Sequence, residues 1–205
     1  MSKQLGRRKK RRQIGRVLHI FCEDSKSARY YLQGYARDKL LGKYIVFEPH
    51  ERTNPQGLVD DAKRIKKELP GDACWVIYDS ESIQQRGTDE HKSAWQNAIN
   101  SGIRIALSCV SYETWILLHH KYSTKPFSTS AQLEKHIKTL DPQYDKSDAD
   151  IYARLKAKTA TAREHAARLE THNDCVNAGK KPYEINPFTD IHTLLDAMDN
   201  FKPGN

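Results

Sequence analysis

Several features that define other protein classes are missing from this 205-residue sequence. No uncharged apolar stretch approaches the roughly 20 residues of a membrane-spanning helix, and no apolar segment typical of a signal peptide follows the basic start. The four cysteines are too few and too dispersed for a disulfide framework. No glycine-rich loop of the kind that cradles nucleotide phosphates is present. We therefore expect no membrane span, secreted disulfide scaffold or nucleotide hydrolase, and a reducing cytoplasm as the compartment.

Acidic residues are also missing from the first sixteen positions, although the chain has 34 Lys and Arg against 26 Asp and Glu, a net charge of +8. The eight cations of that segment are Lys3, Arg7, Arg8, Lys9, Lys10, Arg11, Arg12 and Arg16. Without them the remainder is neutral, so we interpret residues 1–15 as a basic flexible arm on a charge-balanced body. Such an arm binds phosphates through counterion release without reading sequence. We predict that it contacts nucleic acid; a solvated tail that aids solubility or touches membrane surfaces is the alternative.

Hydrophobic periodicity predicts the fold. β-branched and aromatic runs alternate with helical spacing in the first half of the chain, which predicts strands at 16–21, 43–48, 73–78 and 104–108 and helices at 25–40, 57–69, 90–100 and 111–120. Four such units imply an α/β core over residues 16–121, with a mostly parallel sheet and helices on both faces. Polar helices at 131–140 and 150–173 and a last helix at 189–201 predict a helical lobe, residues 122–205, packed on that core.

Acidic residues follow three of the four predicted strands. Glu23 and Asp24 come after the first strand, Asp79 and Glu81 after the third, and Glu113 shortly after the fourth. The carboxyl ends of parallel strands meet at one edge, where such sheets bind ligands. Acids that converge there repel one another unless a divalent cation such as Mg²⁺ or Mn²⁺ neutralises them, which indicates phosphoryl transfer or phosphodiester hydrolysis. An acid after a strand is also commonly a helix cap or turn residue, and the residues alone leave both interpretations open.

Four segments of the chain resemble a known family in their order and spacing. They are RRKKRR leading into RVLHIFCEDSKSARYY, then WVIYDSES, SYETWILLHH and INPFTDIHTLL. Over nearly its whole length the chain resembles the RloB-like family, a Toprim-fold group found with restriction-linked and abortive-infection loci in prokaryotes. Members typically show Cys-Glu-Gly, a Thr-Glu pair and Asp-x-Asp at corresponding places. This chain instead has Asp24 for the glycine, Ser27-Ala28 for the pair, and Glu81 for the second aspartate.

The resemblance implies a Toprim-like core with a Mg²⁺ or Mn²⁺ site. It implies that Glu23 is a general acid/base or outer metal ligand, that Asp79 and Glu81 bind metal, and that Glu113 is the acid of a Phe-Glu-x-Trp-like segment. It also implies an AAA/ABC-like ATPase partner encoded nearby and a role in defence against phage. The hypothesis is a cytoplasmic, Mg²⁺-dependent nuclease that cuts DNA or RNA, with the arm and Lys26 holding the nucleic-acid backbone.

Other interpretations stay open at this point. The chain is alternatively a non-catalytic nucleic-acid-binding or assembly subunit that keeps the Toprim shape, or a sensor or toxin component that acts only on its ATPase partner. His119 and His120 suit metal ligation or proton donation, but also a simple contact with a helix end. His165, His172 and Cys175 are too few for a zinc motif.

Overall fold

A computed structural model describes residues 15–23, 26–49, 52–81 and 87–202. Asp24 and the predicted nucleic-acid contacts of the arm lie outside these residues: Arg7, Arg8, Lys9, Lys10, Arg11 and Arg12. The first half alternates strands and helices, in the order β1 Leu18–Cys22, α1 Ser27–Asp38, β2 Ile45–Phe47, α2 Pro55–Glu68, β3 Ala73–Asp79, α3 Thr88–Asn100, β4 Arg104–Cys109 and α4 Glu113–His120. The second half contains α5 Ser130–Leu140, α6 Ile151–Leu155, α7 Thr159–Val176, β5 Phe188–Thr189 and α8 Ile191–Asp199.

The five strands form one sheet in the order β2-β1-β3-β4-β5. The first four strands pair in parallel, and only β5 is antiparallel to its neighbour β4. Strand order reverses between β1 and β3, because the chain moves outward from β1 to β2 and then crosses to β3 on the other side. In doubly wound sheets a crevice opens at this reversal, outside the carboxyl ends of the strands.

Both faces of the sheet are buried, as β3 shows. Trp75 and Ile77 point into the cluster that contains α1, α4 and the C-terminal helices. Cys74, Val76 and Tyr78 point into a second cluster with α2 and α3. A parallel strand covered on both sides is apolar along its whole length. The predicted fold class is therefore confirmed: an α/β fold, a mostly parallel sheet with helices on both faces, and a helical C-terminal region.

The C-terminal region packs on the sheet and also contributes to it. Helices α5 and α7 pack on α4, α6 packs on α1, and β5 and α8 contact β4. The structure differs from the predicted helix over 150–173, which a 3-10 turn at Lys156–Lys158 divides into α6 and α7. It also places a short strand, β5, at the start of the predicted last helix. The domain limits at 15/16 and 121/122 stay predictions. No helix within the described ranges is long and apolar enough to cross a membrane.

Candidate functional site

The carboxyl edge of the sheet contains a pocket of about 280 Å³. It lies at the ends of β1, β3 and β4, where the strand order reverses. Its lining residues are Glu23, Asp79, Glu81, Val110, Ser111, Glu113, Ser130 and Lys146. The structure thus brings together the four acids that the sequence predicted from separate strand ends. We call this the acid pocket.

Glu23 and Asp79 are held close together by neighbouring strands. The backbone N–H of Glu23 donates to the Ile77 carbonyl oxygen at 2.8 Å, which continues the pairing of β1 with β3. The Glu23 carboxylate in turn accepts the backbone N–H of Asp79, with 3.0 Å between Oε2 and N. The sheet therefore fixes the Glu23 carboxylate beside the end of β3.

Glu81 lies just beyond β3, where the backbone still forms hydrogen bonds with β4 and the residue that follows it. The Ser80 N–H donates to the Ser108 carbonyl oxygen at 2.9 Å, and the Glu81 N–H donates to the Val110 carbonyl oxygen at 3.0 Å. The φ of Glu81 is 55°, in the left-handed region. A residue with a Cβ atom adopts that region at a cost on the order of 1 kcal/mol. The bonded edge offsets this cost and keeps Glu81 in the same pocket as Asp79.

The Glu113 carboxylate is buried among hydrogen-bond donors. Its side chain is 1% exposed, and its Oε1 accepts the hydroxyls of Ser27 at 3.2 Å and Tyr144 at 2.9 Å. Its Oε2 accepts the Ser111 hydroxyl at 2.6 Å and lies 3.4 Å from the Lys146 Nζ. Since both oxygens already have hydrogen-bond or ionic partners, the contacts favour a structural role in the pocket wall. Metal ligation by Glu113 stays a prediction.

Among the described lining residues of the acid pocket, Lys146 is the cation, and the sequence did not predict it. Its Nζ lies between Glu113 and Glu134, 2.8 Å from the Glu134 Oε1. Burial lowers the pKa of Lys146, but the attraction of Glu113 and Glu134 outweighs burial and raises that pKa above its ordinary value. The side chain is therefore charged at neutral pH. It lies between α5 and α6, where no periodicity relates it to the sheet edge.

Lys26 lies beside the acid pocket and does not line it. It directly precedes α1, and the first residue of that helix, Ser27, donates its hydroxyl to Glu113. Phosphate binding by Lys26 stays a prediction, now with a location at the same edge of the sheet as the acids.

The histidine pair lies away from the acid pocket. The His119 ring is buried, with Nδ1 at 3.0 Å from the Trp115 carbonyl oxygen and Nε2 at 2.9 Å from the Tyr31 hydroxyl. Burial lowers the pKa of His119 to about 3, so the ring is neutral and accepts the Tyr31 proton. His120 lines a different cavity, with its Nε2 at 3.8 Å from Asp141. The contacts of His119 are satisfied within the core, and a metal or proton-transfer role for His120 stays a prediction.

The donor chemistry of the acid pocket fits Mg²⁺ or Mn²⁺. Glu23, Asp79 and Glu81 offer hard carboxylate oxygens, which these cations prefer. Across the described residues, no group of three or more His, Cys, Asp or Glu side chains has the arrangement of a ready-made metal site. Mg²⁺ does not require one, because one or two carboxylates usually bind it together with waters and substrate phosphates. The carboxylate oxygens of the pocket are therefore of the type that Mg²⁺ and Mn²⁺ bind, and binding of either cation stays a prediction.

The sequence profile of a family described as RloB-like protein matches residues 18–198. The chain belongs to the RloB-like family. The resemblance that the four sequence segments indicated is thus confirmed, and the matched range contains the four acids and Lys146. Neither the curated proteins nor the solved structures contain a significant match to the chain.

Proposed function

We propose that this RloB-like protein is a metal-dependent nuclease that hydrolyses phosphodiester bonds in DNA or RNA. We further propose that it acts in the cytoplasm as the effector of an anti-phage, abortive-infection system with an AAA/ABC-like ATPase partner, as the family resemblance implies. The observation that carries the enzymatic part is the convergence of Glu23, Asp79 and Glu81 in one pocket at the switch point of a parallel sheet.

The three acids have separate roles in this proposal. Asp79 and Glu81 hold Mg²⁺ or Mn²⁺ at the end of β3, and the bound cation supplies Lewis-acid stabilisation of the phosphate charge. Glu23 is the general acid/base, since its carboxylate belongs to the adjacent strand and is oriented by the Asp79 N–H. It accepts the proton of the attacking water or returns one to the leaving oxygen.

The ion pair of Glu113 and Lys146 completes the pocket wall. The Lys146 side chain is 34% exposed, whereas that of Glu113 is 1% exposed. The more exposed ammonium is shared between Glu113 and Glu134, so in this proposal it offsets their charge in the pocket wall. Glu113 holds that ammonium in place and is a positioning residue.

The test is cleavage of labelled DNA and RNA by the full-length protein with Mg²⁺, alone and with its ATPase partner. Asp79→Asn keeps the size of the side chain and removes one charged ligand, so we expect cleavage to fall by at least about 100-fold, the equivalent of about 2.7 kcal/mol. Asp174→Asn, a change to an exposed acid on α7, is the matched control and should cleave within about twofold of the natural protein. An active Asp79→Asn protein, or no cleavage by the natural protein with its partner, contradicts the proposal.

A second candidate is a nucleic-acid-binding or assembly subunit without catalysis. It is favoured by the lack of a ready-made three-ligand metal site in the described part of the chain. Calorimetry separates the two functions. If Mg²⁺ and Mn²⁺ produce no binding heat, and deletion of residues 1–15 removes nucleic-acid affinity, the binding subunit is the better description.

A further inference from the structure

A second charged pocket lies at the opposite edge of the sheet, next to the amino ends of β1, β3 and β4. Its volume is about 520 Å³. Its charged lining residues are all cations, namely Arg16, Lys66, Arg104 and Lys202, and no acidic side chain lines it. Since residues 17–205 are neutral in sum, the three cations from that part of the chain, together with Arg16, are a local excess of positive charge. We call it the basic pocket.

The four cations are available to a ligand. Within the ranges that the structure describes, none of them forms an ion pair. Asp72 directly precedes the lining residue Ala73, and its carboxylate already has hydrogen-bond partners. It accepts the Val17 N–H at 2.9 Å and contacts the His19 Nε2 at 3.0 Å.

Both arginines lie near aromatic rings, and Lys66 has one hydrogen bond to the backbone. The Arg16 guanidinium lies 5.7 Å from the ring centre of Phe201, and that of Arg104 lies 5.8 Å from the ring centre of Trp75. These distances are near the outer limit of a cation–π contact, and the guanidinium N–H groups stay available for other partners. The Lys66 Nζ donates one of its three hydrogens to the Asp72 carbonyl oxygen at 2.8 Å. Each of these side chains therefore keeps N–H donors for an anion.

We propose that the basic pocket binds phosphate groups of the nucleic-acid backbone. Arg16 lines the pocket and also ends the basic segment of the sequence, in which residues 7–12 are all Arg or Lys. The last cation of that segment is therefore part of the proposed phosphate-binding surface. This inference extends the nucleic-acid part of the proposed function and rests on it, but binding requires no hydrolysis.

The basic pocket lies at a definite distance from the acid pocket. Ala73, the first residue of β3, lines the basic pocket, and Asp79, the last, lines the acid pocket. At about 3.3 Å a residue, the strand separates them by about 20 Å. The basic pocket is therefore an anchor for a part of the nucleic acid that is remote from the bond at the acid pocket.

The experiment measures binding of a fluorescent duplex of about 20 base pairs, as DNA and as RNA, to full-length protein in EDTA. Lys66→Gln/Arg104→Gln removes two pocket cations. The matched control Arg64→Gln/Lys67→Gln removes two cations of the same types on α2 that do not line the pocket. We expect the pocket variant to bind about tenfold more weakly, with a salt slope smaller by about 2 between about 50 and 200 mM salt. The control should change affinity by less than about twofold, and thermal melting verifies that both variants fold.

Equal losses of affinity in both variants would overturn the proposal, because diffuse charge would then explain binding. An unchanged affinity in the pocket variant would overturn it too. Pyrophosphate is the probe for a small phosphorylated ligand. If the natural protein binds pyrophosphate and the pocket variant loses only that binding, the nucleic-acid assignment is wrong. Because EDTA prevents metal-dependent cleavage, this experiment measures binding alone. A negative result for binding does not contradict the nuclease proposal, and a negative Asp79→Asn cleavage result does not contradict the proposed phosphate binding.

Discussion

Replacing Lys146 with Met removes the only charge that the structure places against the buried Glu113 among the described cations. At the observed 3.4 Å between Nζ and Oε2, the attraction is about 5 kcal/mol at an effective dielectric constant of 20. Desolvation and the remaining solvent contact of Lys146 offset part of it. We expect Lys146→Met to lower the free energy of unfolding by about 2 to 3 kcal/mol, between the values for exposed and fully buried pairs.

The assay is urea unfolding followed by circular dichroism, in a cycle with Glu113→Gln. Since the glutamine is neutral, Lys146→Met should cost less than about 1 kcal/mol in that background, which gives a coupling of about 2 kcal/mol. Lys138→Met on α5, where the side chain is exposed, is the control and should be near neutral. The reasoning is refuted if Lys146→Met costs the same with and without the Glu113 charge.

Two further predictions concern stability. Burial raises the pKa of Asp190 from 3.8 to about 7, so its carboxyl stays protonated in the folded state while the unfolded chain ionises. Stability should therefore fall as pH rises from about 4 to 7, by up to about 4 kcal/mol. Asp190→Asn keeps an oxygen for the Leu107 N–H and should flatten this slope in melting at pH 5 and 8; equal slopes would contradict it. At Gly34 an added Cβ would lie 2.6 Å from the Tyr152 Cβ. Gly34→Ala should therefore lower the free energy of unfolding, measured in urea, by about 1 to 3 kcal/mol. Gly42→Ala is the control, because a Cβ there meets no atom within 4 Å.

The strands and helices of the core were predictable because buried positions recur along the sequence with the period of the strand or helix that contains them. The run ACWVIY alternates between two hydrophobic clusters on opposite faces of the sheet, and β3, Ala73–Asp79, extends one residue beyond the predicted strand at 73–78. The convergence of Glu23 and Asp79 was predictable for a similar reason. Parallel strands share a direction, so residues that follow them meet at one edge.

Contacts between residues that are far apart in the sequence, and that belong to no periodic segment, were not predictable. Strand β5 has two residues, and it joins the sheet opposite Ser108 and Cys109. Two residues are too few to show a period. Lys146 belongs to the same class, because its partner Glu113 is brought to it only by the packing of α5 on α4. The acids of the pocket were therefore predicted, whereas the cation that neutralises one of them was not.

The separation of the two charged pockets has an electrostatic consequence. The length of β3 keeps them about 20 Å apart, whereas charges are screened over about 8 Å at physiological ionic strength. The basic pocket therefore attracts phosphate without reducing the repulsion between phosphate and the acid pocket. That repulsion has to be balanced locally, and Lys146 is already shared between Glu113 and Glu134. We therefore expect a phosphodiester to bind beside Glu23, Asp79 and Glu81 more tightly when Mg²⁺ or Mn²⁺ is present, as the proposed function requires.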